Sequence, residues 1–251
     1  MLEVKPQHHE IDVTKLTPEA FAKTLDHSFL KTFFTKRDLD IFCDDMKNYS
    51  LKYCSVSSIT VPDAVARLKG TDIQVGAAIG FPMGRICPEI KAAELELAIR
   101  QGASFYDVIG DISAIKEHDW DRFMRDMEAV QKVARPLNIP GKVIIETCYL
   151  TDAEMVKAAQ CAVEAGMDYI KTSSGFAPSP YKHATQETNI YEIRLLKDTV
   201  GPDVGIKASS GCYCFDTALA YFKAGATRIG TDIAPQLVAE CALRYKHGDI
   251  S

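Results

Sequence analysis

Two lysines frame the chemistry open to this chain. Lys171 stands in Tyr169-Ile170-Lys171-Thr172-Ser173-Ser174-Gly175, and Lys207 in Gly205-Ile206-Lys207-Ala208-Ser209-Ser210-Gly211. Each ends a short apolar, β-like run and precedes a turn of small residues. A lysine inside a barrel or sheet is costly unless it has a partner or a task. Two of them on neighbouring strands would repel, and that repulsion lowers the pKa of one. An amine that loses its proton near neutral pH can attack a carbonyl and form a Schiff base. The plainer alternative is a pair of strand-end ammonium groups in water. Asp107 weighs against it. It lies inside Phe105-Tyr106-Asp107-Val108-Ile109, and a carboxylate in a buried strand needs a cation or a set of donors. The lysine pair would supply that cation, with Asp107 anchoring Lys207 and passing protons through a water. A purely structural ion pair is the competing role. Glu146, in Val143-Ile144-Ile145-Glu146-Thr147, has the same ambiguity and is expected one step further from the reaction.

The elements that must position these groups alternate regularly. Apolar runs at 25–29, 53–56, 74–79, 105–109, 143–146, 169–171, 204–207 and 227–230 read as strands. Segments of helical period lie between them, at 36–49, 62–68, 88–100, 119–134, 188–199, 215–223 and 234–245. Thr151 with Glu154 is a capping-box signature that opens a further helix reaching about residue 165. The strand runs show little polar alternation, as expected of a parallel sheet buried on both faces. Eight strands interleaved with helices predict an α/β chain folded as one (β/α)₈ barrel over residues 21–251, preceded by a polar arm over 1–20. A doubly wound sheet would want a G-x-G-x-x-G fingerprint, which the chain lacks. In a barrel the reacting groups project from the C-terminal strand ends. That restricts the candidates to Asp26, Cys54, Asp107, Glu146, Thr147, Lys171, Thr172, Ser173, Lys207, Ser209, Ser210, Thr231 and Asp232.

Composition narrows the partners. The chain has 251 residues, a net charge of −5 and no basic run, which argues against nucleic acid. No apolar stretch of ~18 residues predicts a membrane span, and the first residues lack an apolar signal core. Eight cysteines scattered without a framework spacing are expected as thiols in a cytoplasmic protein. Cys212 and Cys214 lack further ligands at metal-site spacing, so no metal is expected.

Several ordered motifs together resemble the deoxyribose-phosphate aldolase family of class I aldolases, over about residues 24–239. They are Leu25-Asp26-His27, Ile79-Gly80-Phe81-Pro82-Met83-Gly84, Tyr106-Asp107-Val108-Ile109, Lys142-Val143-Ile144-Ile145-Glu146-Thr147-Cys148, the two lysine motifs, and Ala224-Gly225-Ala226-Thr227-Arg228-Ile229-Gly230. The resemblance implies a (β/α)₈ barrel and reversible cleavage of 2-deoxyribose 5-phosphate into acetaldehyde and glyceraldehyde 3-phosphate. It implies no metal or organic cofactor, and homodimers or higher homo-oligomers. Lys171 matches the Schiff-base lysine, Lys207 the lysine that perturbs it, Asp107 the proton-relay aspartate, and Asp26 the aspartate supporting the network.

The phosphate end departs from the family pattern. Ser209-Ser210-Gly211-Cys212-Tyr213 stands where Ser-Gly-Gly, an apolar residue and Arg are usual, and Gly230-Thr231-Asp232 where Gly-small-Ser is usual. Asp232 would compete with a dianion for helix N-terminal amides. Residues 177–185 form a longer loop than the family's, and Val56-Ser57-Ser58 lacks its Asn-Pro. These departures predict a substrate tail that is not a phosphate, or a phosphate bound in a shifted mode with Lys182, His183 or Arg85 supplying charge. A Schiff-base lyase taking a keto donor and a non-catalytic sugar-binding barrel are the rival readings.

Overall fold

The computed structural model describes residues 10–177 and 187–248. Its strands are β1 (Leu25–Phe29), β2 (Tyr53–Ser57), β3 (Gln74–Ile79), β4 (Phe105–Ile109), β5 (Gly141–Ile144), β6 (Tyr169–Lys171), β7 (Gly205–Ser209) and β8 (Arg228–Thr231). They pair in parallel in chain order, and β8 closes on β1. The short helix α1 (Pro18–Ala22) precedes the barrel, and α2 (Lys36–Asn48), α3 (Val61–Arg67) and α4 (Pro88–Arg100) follow the first three strands. After β4 come α5 (Ile112–Lys116) and α6 (Trp120–Ala134). The last four strands are followed by α7 (Asp152–Glu164), α8 (Ile190–Val200), α9 (Phe215–Lys223) and α10 (Ala234–His247).

Strand side chains alternate between two environments. Val75, Tyr106, Val143, Ile170, Ile206 and Ile229 are buried in the main hydrophobic core between strands and helices. The residues between them face the barrel axis, and there the register sets the site. Lys171 pairs with Lys207, Lys207 with Arg228, and Asp107 with Lys142. Local signals start the helices where the loops need them. Thr35 with Asp38 and Thr151 with Glu154 form reciprocal capping boxes at α2 and α7. Proline occupies the first turn of α3, α4 and α10.

The structure adjusts several sequence expectations. The described end of the arm is anchored: Leu16 is buried in the core, Ile11 and Val13 pack against it, and Thr17 caps α1. Residues 1–9 lie outside the described segments. Strand β7 runs on to Ser209 because Ser209 pairs with Gly230. Strand β5 stops at Ile144, and Glu146 turns into the left-handed region with φ 53°. Helix α5 is too short for a periodic signal; its start is marked by Asp111, whose side chain accepts the Ala114 amide.

Candidate active site

Six charged side chains converge inside the barrel. Asp107 Oδ2 accepts from Lys171 Nζ at 2.9 Å and from Lys207 Nζ at 2.7 Å. Lys207 Nζ also lies 2.6 Å from Asp26 Oδ2. Lys142 Nζ sits 3.1 Å from Asp107 Oδ1 and 3.4 Å from Asp26 Oδ2. Arg228 donates to Asp26 Oδ1 at 2.9 Å. Below these pairs, aromatic rings support the cations. Lys142 Nζ stands 3.8 Å from the Phe105 centroid, and Arg228 Cζ 3.7 Å from that of Tyr53. Two glycines make the room. A Cβ on Gly76 would meet the Phe105 ring at 2.0 Å, and one on Gly230 would meet Ser209 Oγ at 2.2 Å and Lys207 Cε at 2.8 Å.

The same carboxylates act differently on the lysines. Burial lowers the Lys171 pKa to about 8, with Asp107 opposing the shift and Lys207 adding to it. The expected repulsion between the two lysines is therefore present, but desolvation is the larger cause. Burial also disfavours the Lys207 ammonium, yet Asp107 and Asp26 outweigh it and its pKa is raised. Lys142 is lowered, chiefly by burial. Burial disfavours the Asp107 carboxylate, but Lys142, Lys171 and Lys207 hold its pKa well below the usual carboxylate range. Asp26 is lowered likewise: Lys207, Lys142 and Arg228 overcome its burial.

A cavity of about 340 Å³ opens above this cluster. Of the six charged groups only Lys171 lines it; Asp107, Lys207, Asp26, Lys142 and Arg228 lie behind. The walls come from Ser28 on β1 with Leu30 and Lys31 after it, Ser174–Phe176 after β6, Ser209 at the end of β7 with Ser210–Tyr213 after it, and Gly230 and Thr231 on β8 with Asp232 after it. A buried amine at the floor of a small, partly open pocket, backed by acids and bases out of reach of bulk water, suits imine formation. Glu146 reaches the wall indirectly, its carboxylate accepting the Ser174 amide at 3.1 and 3.2 Å, and burial raises its pKa.

The other expected site residues separate into two groups. Ser209, Ser210, Gly211, Gly230, Thr231 and Asp232 join Lys171 in the cavity wall. Ser210 has φ 74°, a left-handed backbone in the place where the sequence had lost a glycine. Thr172 and Ser173 do not reach the cavity. Thr172 Oγ1 lies 2.6 Å from Thr188 Oγ1 and accepts the Ser209 amide at 3.0 Å, and Ser173 Oγ is 3.3 Å from Thr188 Oγ1. They brace the ends of β6 and β7. Thr188 shares that work, donating to Ser209 O at 2.6 Å. Cys54 is not in the site at all. It is fully buried in the core that lies toward α2, its thiol pKa pushed up by burial, with Sγ against Gln74 O at 3.6 Å. The period-two alternation explains this, because its neighbour Tyr53 takes the inward position. Thr147 is likewise buried and donates to Glu192 Oε2 at 3.0 Å. Arg85 donates to Ser113 Oγ at 2.8 Å and does not line the cavity. Lys182 and His183 lie outside the described residues. Sequence reasoning missed Lys142, Arg228, Thr188 and Lys31. The first two carried the same signal as Lys171, a cation within an apolar strand, but sit nearer the strand starts.

A parallel eight-stranded barrel with a buried lysine–aspartate cluster under a small pocket defines the aldolase class of barrel enzymes. The chain belongs to the DeoC/LacD aldolase family, whose model matches residues 56–231, and it is an aldehyde-lyase. Similar curated relatives are deoxyribose-phosphate aldolases. The one from Geobacillus sp. is 42% identical over 217 residues, 86% of this chain and 94% of the relative. That from Aciduliprofundum boonei is 38% identical, covering 86% of this chain and 95% of the relative. Among solved structures, the aldolase QR15 superposes with a TM-score of 0.82 at 30% identity, covering 94% of this chain and 99% of its own. A tetrameric deoxyribose phosphate aldolase from Aeropyrum pernix shares the fold, with a TM-score of 0.80 at 22% identity over 92% of each chain.

Proposed function

We propose that the chain catalyses a reversible aldol reaction through an imine on Lys171, cleaving 2-deoxyribose 5-phosphate or a close analogue to acetaldehyde and a second aldehyde. The observation that carries this reading is that, of the buried charged cluster, the one lysine exposed to the cavity is also one whose pKa burial brings down to about 8. The free amine adds to the substrate carbonyl, and the carbinolamine loses water to give a protonated imine. That imine accepts the electron pair of the breaking carbon–carbon bond, so an enamine replaces a free carbanion. A base must take the proton of the departing hydroxyl, and an acid must protonate the enamine carbon. Asp107 and the Lys207 ammonium, adjoining Lys171, are suited to relay those protons through water. Hydrolysis of the acetaldehyde imine restores the amine.

A second reading, in which the tail carries no phosphate, is favoured by the far wall. Asp232 and Tyr213 line it, Ser210 holds a strained turn, and Glu240 Oε2 already accepts the first α9 amide, that of Phe215, at 2.8 Å. Lys31 lines the same cavity as Asp232. The decisive experiment is borohydride trapping with acetaldehyde, followed by peptide mass spectrometry. A two-carbon adduct on Lys171 supports the reading, and its absence with every carbonyl tried overturns it. Kinetics with 2-deoxyribose and its 5-phosphate separate the two tails. We further place the enzyme in the cytoplasm, on its unpaired cysteines. Self-association through exposed apolar side chains such as Phe33 and Ile59 is testable by light scattering.

A further inference from the structure

The buried cluster carries more positive than negative groups. Lys142, Lys171, Lys207 and Arg228 share two carboxylates, Asp26 and Asp107. With every group ionised, two positive charges would stay uncompensated in a volume nearly closed to water, which is unfavourable. A lysine can relieve that excess by releasing a proton. Arg228 cannot, because a guanidinium stays protonated in proteins. It is fixed in place between Asp26, at 2.9 Å, and the Tyr53 ring, at 3.7 Å, and it does not touch the cavity.

Contacts decide which lysine gives way. Lys207 lies within 2.7 Å of two carboxylates, and Lys142 contacts both at 3.1 and 3.4 Å. Lys171 touches a single carboxylate oxygen, Asp107 Oδ2, which Lys207 shares. It is also the group from which a proton can leave directly into the cavity. We propose that Arg228 is a positioning residue whose permanent charge, pressed against Asp26 from the last strand, favours release of the Lys171 proton and so the uncharged, nucleophilic amine. The inference deepens the imine reading and rests on it.

Asp26 comes from β1, Tyr53 from β2, Asp107 from β4, Lys142 from β5 with Glu146 beyond its end, Tyr169 and Lys171 from β6, and Lys207 from β7; β3 adds no charged side chain. Arg228→Met therefore removes one positive charge and leaves the rest in place.

The test is the rate of acetaldehyde trapping by cyanoborohydride, followed from pH 6 to 10 for native enzyme and variants. Arg228→Met is expected to move the acid limb about one pH unit upward, a roughly tenfold loss at pH 7 with recovery at high pH. Arg228→Lys, which keeps a cation over Tyr53, should return the limb toward its native position. An unmoved limb in Arg228→Met, a uniform loss at every pH, or an Arg228→Lys limb as displaced as that of Met would each overturn the proposal. Should Arg228→Met fail to fold, Arg228→Gln removes the same charge and carries the same expectation. A native enzyme that forms no adduct would sink the imine reading itself, whereas a native adduct with an unmoved variant limb sinks only the role of Arg228.

Discussion

The floor and the far wall of the cavity are built in opposite ways. At the floor, charged groups stand on strands and are nearly inaccessible, and most are fixed by more than one partner, as Asp107 is by three lysines. At the far wall, Asp232, Tyr213 and Lys31 are exposed side chains on the segments that follow strands. A barrel strand cannot shift without disturbing both neighbours, so the floor preserves a reaction. A surface segment can change one side chain at modest cost, so the wall is where substrate choice can move. The sequence resemblance accordingly rests on floor residues, and the departures it led one to expect fall on the wall.

Mutations can break this contrast. The largest effect is expected from Lys171→Ala: loss of the trapped adduct and a fall in aldol turnover of about a thousandfold or more, measured by coupled assay and mass spectrometry. Retained turnover would move the nucleophile elsewhere. Asp107→Asn should cost about a hundredfold to ten-thousandfold in kcat, with a smaller change in KM, because it removes a proton carrier and a counter-ion together. Gly230→Ala should be felt through the packing alone. Its methyl would press on Ser209 and Lys207, costing about 1–3 kcal/mol, readable as a lower melting temperature along with reduced activity.

The native pH profile sharpens the comparison. The nucleophile is the neutral amine, and the Lys171 ammonium loses its proton near pH 8. Imine trapping should therefore rise about tenfold from pH 7 to pH 9 and level off above. A rate already at its plateau at pH 6 would contradict it. The smallest effect belongs to the wall. Asp232→Ser should raise kcat/KM for the phosphorylated sugar by about two- to fivefold, as expected for one exposed charge, and leave the unphosphorylated sugar nearly unchanged. An equal change for both would remove Asp232 from tail selection.

The strand–helix alternation was legible because each buried strand is an unbroken apolar run and most helices carry their own start signals. Lys171, Lys207 and Asp107 could be recognised because a charge inside such a run is conspicuous. Lys142 and Arg228 were equally conspicuous, but attention to the C-terminal strand ends passed over them. Interior charges reach upward on long side chains, so a residue low on a strand can still deliver its head group to the site. Cys54 was misplaced because position along a strand was weighed without its facing. Thr188 had no local signal: its role arises from three contacts with the ends of β6 and β7, which are distant from it along the chain.

The ion pair between Asp26 and Arg228 joins residues 202 positions apart, across the seam where the first strand meets the last. During synthesis the lysines leave the ribosome well before Arg228 does. A chain shortened ahead of β8 would hold the nucleophile and its neighbours but neither the arginine nor the strand that completes the ring. Reactivity toward aldehydes is then a late event in the life of the nascent polypeptide, arriving with the closing segment. Trapping by cyanoborohydride could serve as a chemical clock for when that seam shuts.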